Sequence, residues 1–513
     1  MAPLNVLTAT ATDLQTLYQD GNLTTVEAAE LYMQHILNHN HRFNALVEVT
    51  PQEHVLALAT QLDQERAEGV VRGPLHGVPI VVKDNIATHP DLGLRTTGGS
   101  YAFLDLKPKE TAPFLRRLVA AGCIILGKAN LSSACVPLSL STWLTDLCRG
   151  SGMPCGWSPR GGQTQSPYVH GGWDPTEKFG GHSGPGGSSS GSATSVALGF
   201  ALVSIGTKTW GSLIIPASRA NVFTLKGTRG IVQMQGVMSV NDILDIVGPL
   251  ARGALDIANI FDVMLDPGYP FRPADGYATK ATGSWEGLRL GAVRTADWRI
   301  DEILADPDED WFAQQEHDIV AAYDKLKDLG VSIKHPIPFA KRGPLANVLG
   351  DVINHNFVRC FDEFLSDMES SSVRSVKQLV EWNRDHAELE IPSGKLFHPI
   401  ADTLLGALET DAWSTEATEV RLKEGEHHAA AEGIDRYLKE SDVDIILGPA
   451  DCWLTDFACV AGYPSAMLPL SFWKKNGRAF GIIAITSKNR EDLLIQLTSA
   501  RETVFPLKLP LKL

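Results

Sequence analysis

Short apolar runs rich in β-branched residues alternate with helical segments along most of this chain, and this alternation limits the folds open to it more than any other feature. The first run, residues 77–84, reads Gly-Val-Pro-Ile-Val-Val-Lys-Asp, the composition of a buried strand that ends in charge. Helix-then-strand pairs follow at 111–121 with 123–128, 192–200 with 201–206, 310–329 with 331–334, and about 419–439 with 443–447. Such alternation predicts an α/β fold in which helices surround a mixed, mostly parallel central sheet.

A capping box opens a further helix near the start of the chain. Thr24 and Glu27 stand three residues apart, and apolar residues recur at helical spacing over the turns that follow. We therefore expect a helix up to about residue 39. His35 and His39 lie four apart on it, but Ile stands where a zinc-protease helix carries Glu after the first His, so no metal site is expected.

Glycine is in excess, with 46 residues among 513, and many of them fall in one segment. Between residues 150 and 191, Gly, Ser and Pro dominate and no apolar period persists, which predicts a long irregular loop. A loop of this kind held between ordered elements is more typical of a functional site than of a linker. We expect the chemistry of this protein to lie in or beside it.

The composition is that of a folded protein, with 44% hydrophobic and 20% charged residues. The formal net charge of −15 leaves no basic surface for a phosphate backbone, so we expect no nucleic acid partner. The longest apolar stretch, near residues 195–205, is too short and interrupted to span a bilayer, and the N-terminus has no secretory signal. Seven irregularly spaced cysteines indicate reduced thiols, so we expect a cytoplasmic protein without a membrane partner.

Two motif matches near the glycine-rich segment fail on their context. Residues 187–191 read Gly-Ser-Ser-Ser-Gly and fit Gly-x-Ser-x-Gly, but no strand directly precedes them, as the nucleophile elbow of α/β-hydrolases requires. Lys208 and Thr209 follow Thr207, where a phosphate-binding loop requires glycine. Neither motif is therefore predicted, and we expect no cofactor.

Three polar residues remain at ordered positions: Lys83 at the end of the first strand, Ser188 in the glycine-rich loop, and Ser212 in a Gly-Ser-x-x-x-Pro segment 24 residues later. Singly, each has the features of an ordinary edge or turn residue. Together with flanking segments such as Gly-Tyr-Pro-Ser-Ala-Met-Leu-Pro at 462–469, they resemble the amidase signature family over most of the chain. The chain is similar to divergent fungal members of that family.

A serine hydroxyl is a weak nucleophile and needs a neighbouring base. Lysine serves as that base only when neutral, and from a reference pKa near 10.4 its deprotonation at about pH 7.4 costs about 4 kcal/mol unless burial lowers the pKa. The resemblance implies a Ser-Ser-Lys triad in which Ser212 attacks the acyl carbon and Ser188, joined through a cis peptide bond, relays its proton to Lys83. It also implies an oxyanion hole of main-chain N–H groups at Thr209, Trp210, Gly211 and Ser212.

One segment departs from the family pattern. Where many relatives have Asp-x-Gly-Gly-Ser-x-Arg, this chain has Lys-Thr-Trp-Gly-Ser-Leu-Ile at 208–214, so the acid and the Arg are lost together and neither leaves an unpaired buried charge. The bulky Trp210 would be strained if the main chain there required a positive φ. We hypothesise that its ring shapes the acyl pocket and selects an unusual substrate, and we expect Asn130, Ser132 and Gly187 to contact the substrate as well.

The resemblance implies the amidase signature fold as a single domain over residues 1–513, with an N-terminal helical segment to about residue 70 and a mostly helical insertion at about 340–440. We expect an amidase that hydrolyses a small-molecule carboxamide through an acyl-enzyme, and a homodimer is compatible with this interpretation. Residues 130–143 and 150–191 are expected to line the acyl pocket. Two alternatives stay open: an acyltransferase, in which an amine or alcohol replaces water, and a catalytically weakened binding subunit.

Overall fold

Strands from most of the length of the chain join in one sheet. The structure, a computed structural model, describes residues 4–132, 154–299, 305–390, 404, 407–410 and 413–507. Its strands in chain order are β1 (Leu46–Val49), β2 (Pro79–Lys83), β3 (Lys107–Pro108), β4 (Ile124–Ala129), β5 (Trp157–Ser158), β6 (Gly162–Gln163), β7 (Val203–Lys208), β8 (Phe223–Lys226), β9 (Ile246–Ala251), β10 (Arg289–Val293), β11 (Ser332–Ile337), β12 (Met368–Ser370), β13 (Ile445–Pro449), β14 (Ser465–Phe472) and β15 (Ala479–Thr486). Within the described residues, eleven strands form a sheet of order β1-β4-β2-β7-β9-β8-β14-β15-β13-β10-β11, and β3-β12 and β5-β6 form two small pairs.

The predicted mixed sheet covered by helices is confirmed, and its parallel pairs fall in two blocks. β2 pairs parallel with β4 and β7, and β10 pairs parallel with β11 and β13. Between these blocks β9, β8, β14 and β15 pair antiparallel with their neighbours. Parallel strands need a long crossover, whereas β14 and β15 follow each other through a short turn, which permits antiparallel pairing.

Helices cover both faces of this sheet. In chain order they are α1 (Ala11–Gln19), α2 (Thr25–Phe43), α3 (Gln52–Ala67), α4 (Pro113–Ala120), α5 (Ser190–Ala197), α6 (Ile214–Arg219), α7 (Ala254–Met264), α8 (Glu309–Asp328), α9 (Leu345–Ser366), α10 (Val376–Asp385), α11 (Ala387–Glu390), α12 (Thr415–Glu426), α13 (Asp435–Glu440), α14 (Leu454–Val460) and α15 (Glu491–Val504). A π-helical stretch, His427–Ile434, joins α12 to α13.

The central strand β15 shows how the core is divided. Ile482 and Ala484 belong to one buried apolar cluster, whereas Ile483 and Ile485 belong to another, because successive side chains of a strand point to opposite faces. Residues of α2, α4, α7 and α15 complete the first cluster, and residues of α5, α6, α9 and α14 complete the second. With both faces covered, the ends of the strands are left to carry polar side chains.

The elements expected from the sequence are present, with shifted boundaries. The helix expected to end at about residue 39 continues as α2 to Phe43, and Asn44 ends it in the left-handed conformation (φ 48°). The helix expected over 419–439 is α12, the π-helical stretch and α13 in succession. In the described part of the expected irregular loop, the short β5-β6 pair lies in a chain that is otherwise irregular up to α5.

Neither a membrane span nor a metal cluster occurs among the residues with described positions. No helix there is both long and apolar enough to cross a bilayer. No group of three or more His, Cys, Asp or Glu side chains there is arranged to hold a metal ion. Five cysteines are buried and free: Cys123, Cys155, Cys360, Cys452 and Cys459. Cys135 and Cys148 lie outside the described residues.

Candidate active site

Lys83 ends strand β2, and its side chain is buried. It is 1% exposed, and its Nζ lies 2.7 Å from Ser188 Oγ and 2.8 Å from Thr207 Oγ1. The Thr207 carbonyl oxygen is 3.5 Å away. Thr207 belongs to β7, which pairs parallel with β2. Adjacent strands of the sheet therefore bring the lysine and its threonine acceptors together.

Burial is the main influence on the charge of Lys83. It lowers the pKa of the amine to about 7, while Asp245 and Cys155 act to raise it. Cys155 is itself buried, which raises the pKa of its thiol to about 11 and leaves the thiol uncharged near neutral pH. Near pH 7 roughly half of the Lys83 amines are therefore neutral, the state in which an amine accepts a proton.

Ser188 lies in the glycine-rich loop just before α5. The peptide bond between Gly187 and Ser188 is cis. A Cβ at residue 187 would collide with Ser132 Oγ and come within 2.7 Å of Cys155 Sγ, so only glycine fits there. The Ser188 carbonyl accepts a hydrogen bond from Ser132 N at 3.1 Å. These contacts hold the Ser188 hydroxyl beside Lys83.

Ser212 lies in the turn between β7 and α6, next to the glycine-rich loop. Ser189 N donates to the Ser212 carbonyl oxygen (3.3 Å), and Ser189 Oγ donates to the Thr207 carbonyl oxygen (2.9 Å). Both Ser188 and Ser212 are half-buried. The structure thus joins Lys83 to Ser188 through their side chains, and it joins the Ser188 loop to Ser212 through the main chain.

The turn after β7 is held in place by hydrogen bonds that its carbonyl oxygens accept. The Thr209 carbonyl accepts a hydrogen bond from Cys459 Sγ (2.8 Å), and the Trp210 carbonyl accepts one from Thr455 Oγ1 (3.1 Å); both donors belong to α14. Because the C=O and N–H of a trans peptide point in opposite directions, the N–H groups of Trp210 and Gly211 point away from α14. Consecutive main-chain donors that face the same way have the arrangement an oxyanion hole requires.

The ring of Trp210 is also held at α14. Its Nε1 donates to the buried carboxylate of Asp456, and the ring lies 5.2 Å from that of Trp453. Arg342 Nε donates to Asp456 Oδ2 at 2.6 Å, and the guanidinium lies 3.7 Å from the Trp453 ring centre. Burial raises the pKa of Asp456, and the charge of Arg342 acts against that rise. An ion pair thus fixes the ring that replaces a glycine of the family pattern.

The main chain at Trp210 is outside the left-handed region. Among the described non-glycine residues, positive φ values occur at Asn44, Asn221, Asp442 and Asn489. The strain that a bulky side chain would have at positive φ therefore does not arise at Trp210. A tryptophan is compatible with this turn on backbone grounds.

Lys208 and Ile214 stand where many relatives have Asp and Arg. Lys208 is 1% exposed, its Nζ has no hydrogen-bond partner in the described part of the chain, and burial lowers its pKa to about 8. Ile214 packs in the second apolar cluster. Arg342 and Asp456 form an ion pair beside this turn.

The residues expected to contact the substrate do not all lie against the Ser188 peptide. Ser132 and Gly187 lie directly against the Ser188 peptide. Asn130 is fully buried, and its amide hydrogen-bonds only to protein groups among the described residues, including Ser158 Oγ at 2.6 Å. Of the segments expected to line the acyl pocket, residues 133–143 and 150–153 lie outside the described residues.

Several supporting residues were missed by sequence reasoning. Arg219 is buried and donates from Nη2 to the Gly180 carbonyl (2.8 Å) and from Nη1 to the Gly184 carbonyl (3.0 Å), which holds the glycine-rich loop from behind. Asp456 is 246 positions from the tryptophan that it binds, and no local pattern marks it. Thr207 could have been found from the sequence, because it lies in the motif segment that leads to Ser212.

Comparison with known proteins identifies a family and several relatives. A family model described as amidase matches residues 27–315. A Schizosaccharomyces pombe protein named as an amidase is 30% identical over 98% of this chain and 86% of its own length. One subunit of the glutamyl-tRNA(Gln) amidotransferase of Chloroflexus aurantiacus is 33% identical over 57% of this chain and 55% of its own length.

Among solved structures, the native peptide amidase of Stenotrophomonas maltophilia is similar throughout. It is 27% identical, with a TM-score of 0.84, and 99% of each chain is covered. The resemblance seen in the motifs is confirmed, since both sequence and fold match along nearly the whole chain. The chain therefore belongs to the amidase family and is an amide-hydrolysing enzyme.

Proposed function

We propose that this amidase hydrolyses a small-molecule carboxamide through an acyl-enzyme on Ser212, with Ser188 as proton relay and Lys83 as base. The observation that carries the proposal is the 2.7 Å contact between Lys83 Nζ and Ser188 Oγ, made by an amine whose pKa burial lowers to about 7. In the neutral amine, two N–H bonds are accommodated by Thr207 Oγ1 and the Thr207 carbonyl oxygen. The nitrogen lone pair is then left for the Ser188 hydroxyl.

In the acylation step, the Ser212 oxygen adds to the amide carbon. Its proton passes to Ser188 Oγ while the Ser188 proton passes to Lys83, and the carbonyl electrons move onto the substrate oxygen. The N–H groups of the turn after β7 stabilise that oxyanion. When the C–N bond breaks, the proton returns along the same path to the leaving amine, and water then releases the acyl group from Ser212.

We assign the acyl group of the substrate to the space beside Trp210, Ser132 and Gly187. Ser132 and Gly187 border the proposed relay, and Trp210 projects from the turn that carries the nucleophile. The peptide amidase of S. maltophilia is a relative named for peptide substrates, so C-terminal peptide amides belong in the first substrate panel beside simple carboxamides.

Labelling with a serine-directed fluorophosphonate tests the nucleophile. We expect the wild type to be labelled, Ser212→Ala to remain unlabelled, and Lys83→Met to be labelled about 100-fold more slowly. Ser204→Ala and Lys128→Met are matched controls, because Ser204 is a buried serine of β7 bonded to a carbonyl and Lys128 is a buried lysine of β4. Labelling of Ser212→Ala at the wild-type rate would overturn the assignment.

Acyl transfer is the second candidate, favoured by the similarity to a component of an amidotransferase. Hydroxylamine added to a working reaction decides between the two. A hydroxamate formed at the expense of the acid shows that an amine intercepts the acyl-enzyme, whereas an unchanged acid yield confines the enzyme to hydrolysis. Absence of both labelling and turnover across the panel would favour a binding role instead.

A further inference from the structure

Asp245 precedes β9 and lies opposite the proposed oxyanion turn. The antiparallel register of β7 and β9 reaches Lys208 opposite Ile246. The next position of the same register puts Asp245 opposite Thr209. Directly opposed residues share a face of a sheet, and so do residues two apart on one strand. Asp245 therefore falls on the same face as Thr207 and Thr209.

The amine of the proposed base reaches the side chain of the same Thr207. Lys83 Nζ lies 2.8 Å from Thr207 Oγ1. Asp245 is the foremost charged group that acts on Lys83, and Lys83 is the charged side chain that acts on Asp245. The amine lies at Thr207 and the carboxylate at Thr209, so both groups are at the end of β7.

The Asp245 carboxylate is buried and only half satisfied. The residue is 7% exposed, and its Oδ2 accepts a hydrogen bond from Val240 N at 2.7 Å. Its Oδ1 is buried without a hydrogen-bond partner among the residues that the structure describes. A buried carboxylate oxygen without a donor is costly unless a positive charge lies close by. The ammonium form of Lys83 is such a charge.

At neutral pH, Asp245 is the anion that acts on Lys83. Burial raises the pKa of Asp245 to about 6, and the Thr209 side chain, two main-chain N–H groups and Lys83 act against that rise. The other titratable group that acts on Lys83 is Cys155, whose pKa burial raises to about 11. Above about pH 6 the carboxylate is charged while the thiol is not.

We propose that Asp245 is a positioning residue, which supplies the counter-charge for Lys83 once that amine has taken the proton from Ser188. The inference rests on the proposed roles of Lys83 and Ser188. No bond forms to Asp245: the proton moves from Ser188 Oγ to the Nζ lone pair, and the carboxylate balances the resulting ammonium while the oxyanion forms on the substrate. The carboxylate raises the pKa of Lys83, which makes the neutral amine a stronger proton acceptor. It also lowers the fraction of Lys83 that is neutral before the reaction begins.

The variant Asp245→Asn tests this through the pH profile of kcat/KM between pH 5 and 9, with an amide that the wild type hydrolyses. Loss of the counter-charge lowers the pKa of Lys83, so the acid limb moves to lower pH by about one unit. The plateau falls by about tenfold, mainly in kcat, because the ammonium formed during acylation is no longer balanced. Asp245→Glu keeps the charge, so its acid limb stays at the wild-type position.

Asp256→Asn is the matched control. Asp256 is an equally buried aspartate of α7, and its carboxylate accepts hydrogen bonds from Ala11 N rather than facing a lysine. The acid limb of the kcat/KM profile of Asp256→Asn should remain at the wild-type position. An Asp245→Asn plateau that falls while the acid limb does not move would show a purely structural role and overturn the proposal. If the Asn variant does not fold, an Asp245→Glu acid limb displaced to lower pH overturns it equally.

Failure of the proposed triad is recognised separately. Fluorophosphonate labelling that persists in Ser212→Ala rejects the triad itself. Labelling that depends on Ser212, combined with an unmoved acid limb in Asp245→Asn, leaves the triad in place and rejects the role of Asp245 alone.

Discussion

Trp210 shows how a single residue can depart from a family pattern and still fit the site. Its indole N–H is taken by Asp456, its ring lies beside Trp453, and Arg342 holds both partners. A ring anchored at both its polar and apolar parts has little freedom to swing away. We infer that it forms a fixed wall beside Ser212 rather than a mobile cover.

We expect Trp210→Gly to shift the ranking of kcat/KM toward amides with bulkier acyl groups by about tenfold, because the wall is removed. Trp210→Phe is the control: it keeps a ring and loses the bond to Asp456, so the ranking stays while the free energy of unfolding falls by about 1 kcal/mol. A series of amides of graded acyl size and urea denaturation measure the two effects. An unchanged ranking in Trp210→Gly would count against a wall at this position.

The proposed role of Lys83 as base predicts how activity depends on pH. Because burial lowers its pKa to about 7 and the base acts only when neutral, kcat/KM should rise with pH through about 7 and level off above about pH 8. Initial rates across a pH series measure this, with circular dichroism at each pH to exclude unfolding as the cause. A kcat/KM that falls between pH 6 and 8 is incompatible with a lysine base.

Helix α14 donates side-chain hydrogen bonds to the turn of the proposed oxyanion hole. Thr455 and Cys459 lie four residues apart, so they share a face of the helix, and both donate to carbonyl oxygens of the turn after β7. Asp456 adds a third contact through the indole of Trp210. One short helix thus determines the direction of successive peptide groups in the turn.

We expect Thr455→Val to lower kcat by about tenfold with little change in KM, because a freed Trp210 carbonyl lets the neighbouring N–H groups turn from their positions. Steady-state kinetics on one amide provides the measurement. Thr498→Val serves as the control, since Thr498 is a buried threonine of α15 bonded to the Leu494 carbonyl and distant in sequence from the turn. Equal losses of kcat in both variants would mean that any buried threonine has this effect.

Two carboxyl groups lie at the start of α7: Asp256, which is buried, and Glu502 of α15, which is half-buried. Asp256 accepts hydrogen bonds from Ala11 N, and Glu502 accepts one from Ala254 N. Burial raises the pKa of each group to about 7. The charge of Glu502 also acts to raise the pKa of Asp256. The junction between α1 and α7 therefore favours protonated carboxyls.

The sign of the resulting pH effect on stability is fixed by the raised pKa of Asp256. Between about pH 4 and 7 the unfolded chain has lost this proton while the folded protein keeps it, so the contribution of Asp256 to stability falls as the pH rises. Asp256→Asn removes this titration, and the free energy of unfolding of the variant should gain on the wild type from pH 5 to pH 7. Urea unfolding at the two pH values tests this, and a variant that loses ground over that interval would contradict it.

For the whole molecule, the local patterns were the predictable part. The strand–helix alternation indicated the α/β fold, and the resemblance carried by Lys83, Ser188 and Ser212 implied the proposed triad. The pairing of β8 with β14 and the contact of Asp456 with Trp210 were not predictable, because each joins segments about 240 residues apart. Sequence periodicity indicates which face of an element is buried, but it does not indicate which distant element packs against that face.

We expect the chain to unfold as one unit. The strands of the sheet up to β9 form one half of it and those from β10 onward form the other, and the pairing of β8 with β14 joins the two halves into one continuous sheet. Far-UV circular dichroism and tryptophan fluorescence should give coincident urea transitions. Two resolved transitions would show independently folding parts and contradict the single domain expected from the sequence.

The pairing of β8 with β14 also determines when the sheet can be completed during synthesis. β8 ends at Lys226 and β14 begins at Ser465, so about 240 residues must leave the ribosome before the two strands can pair. Until then β8 has one open edge, which is prone to pair with other chains. A growing chain therefore exposes this edge, and is prone to aggregation, until the last strands are made.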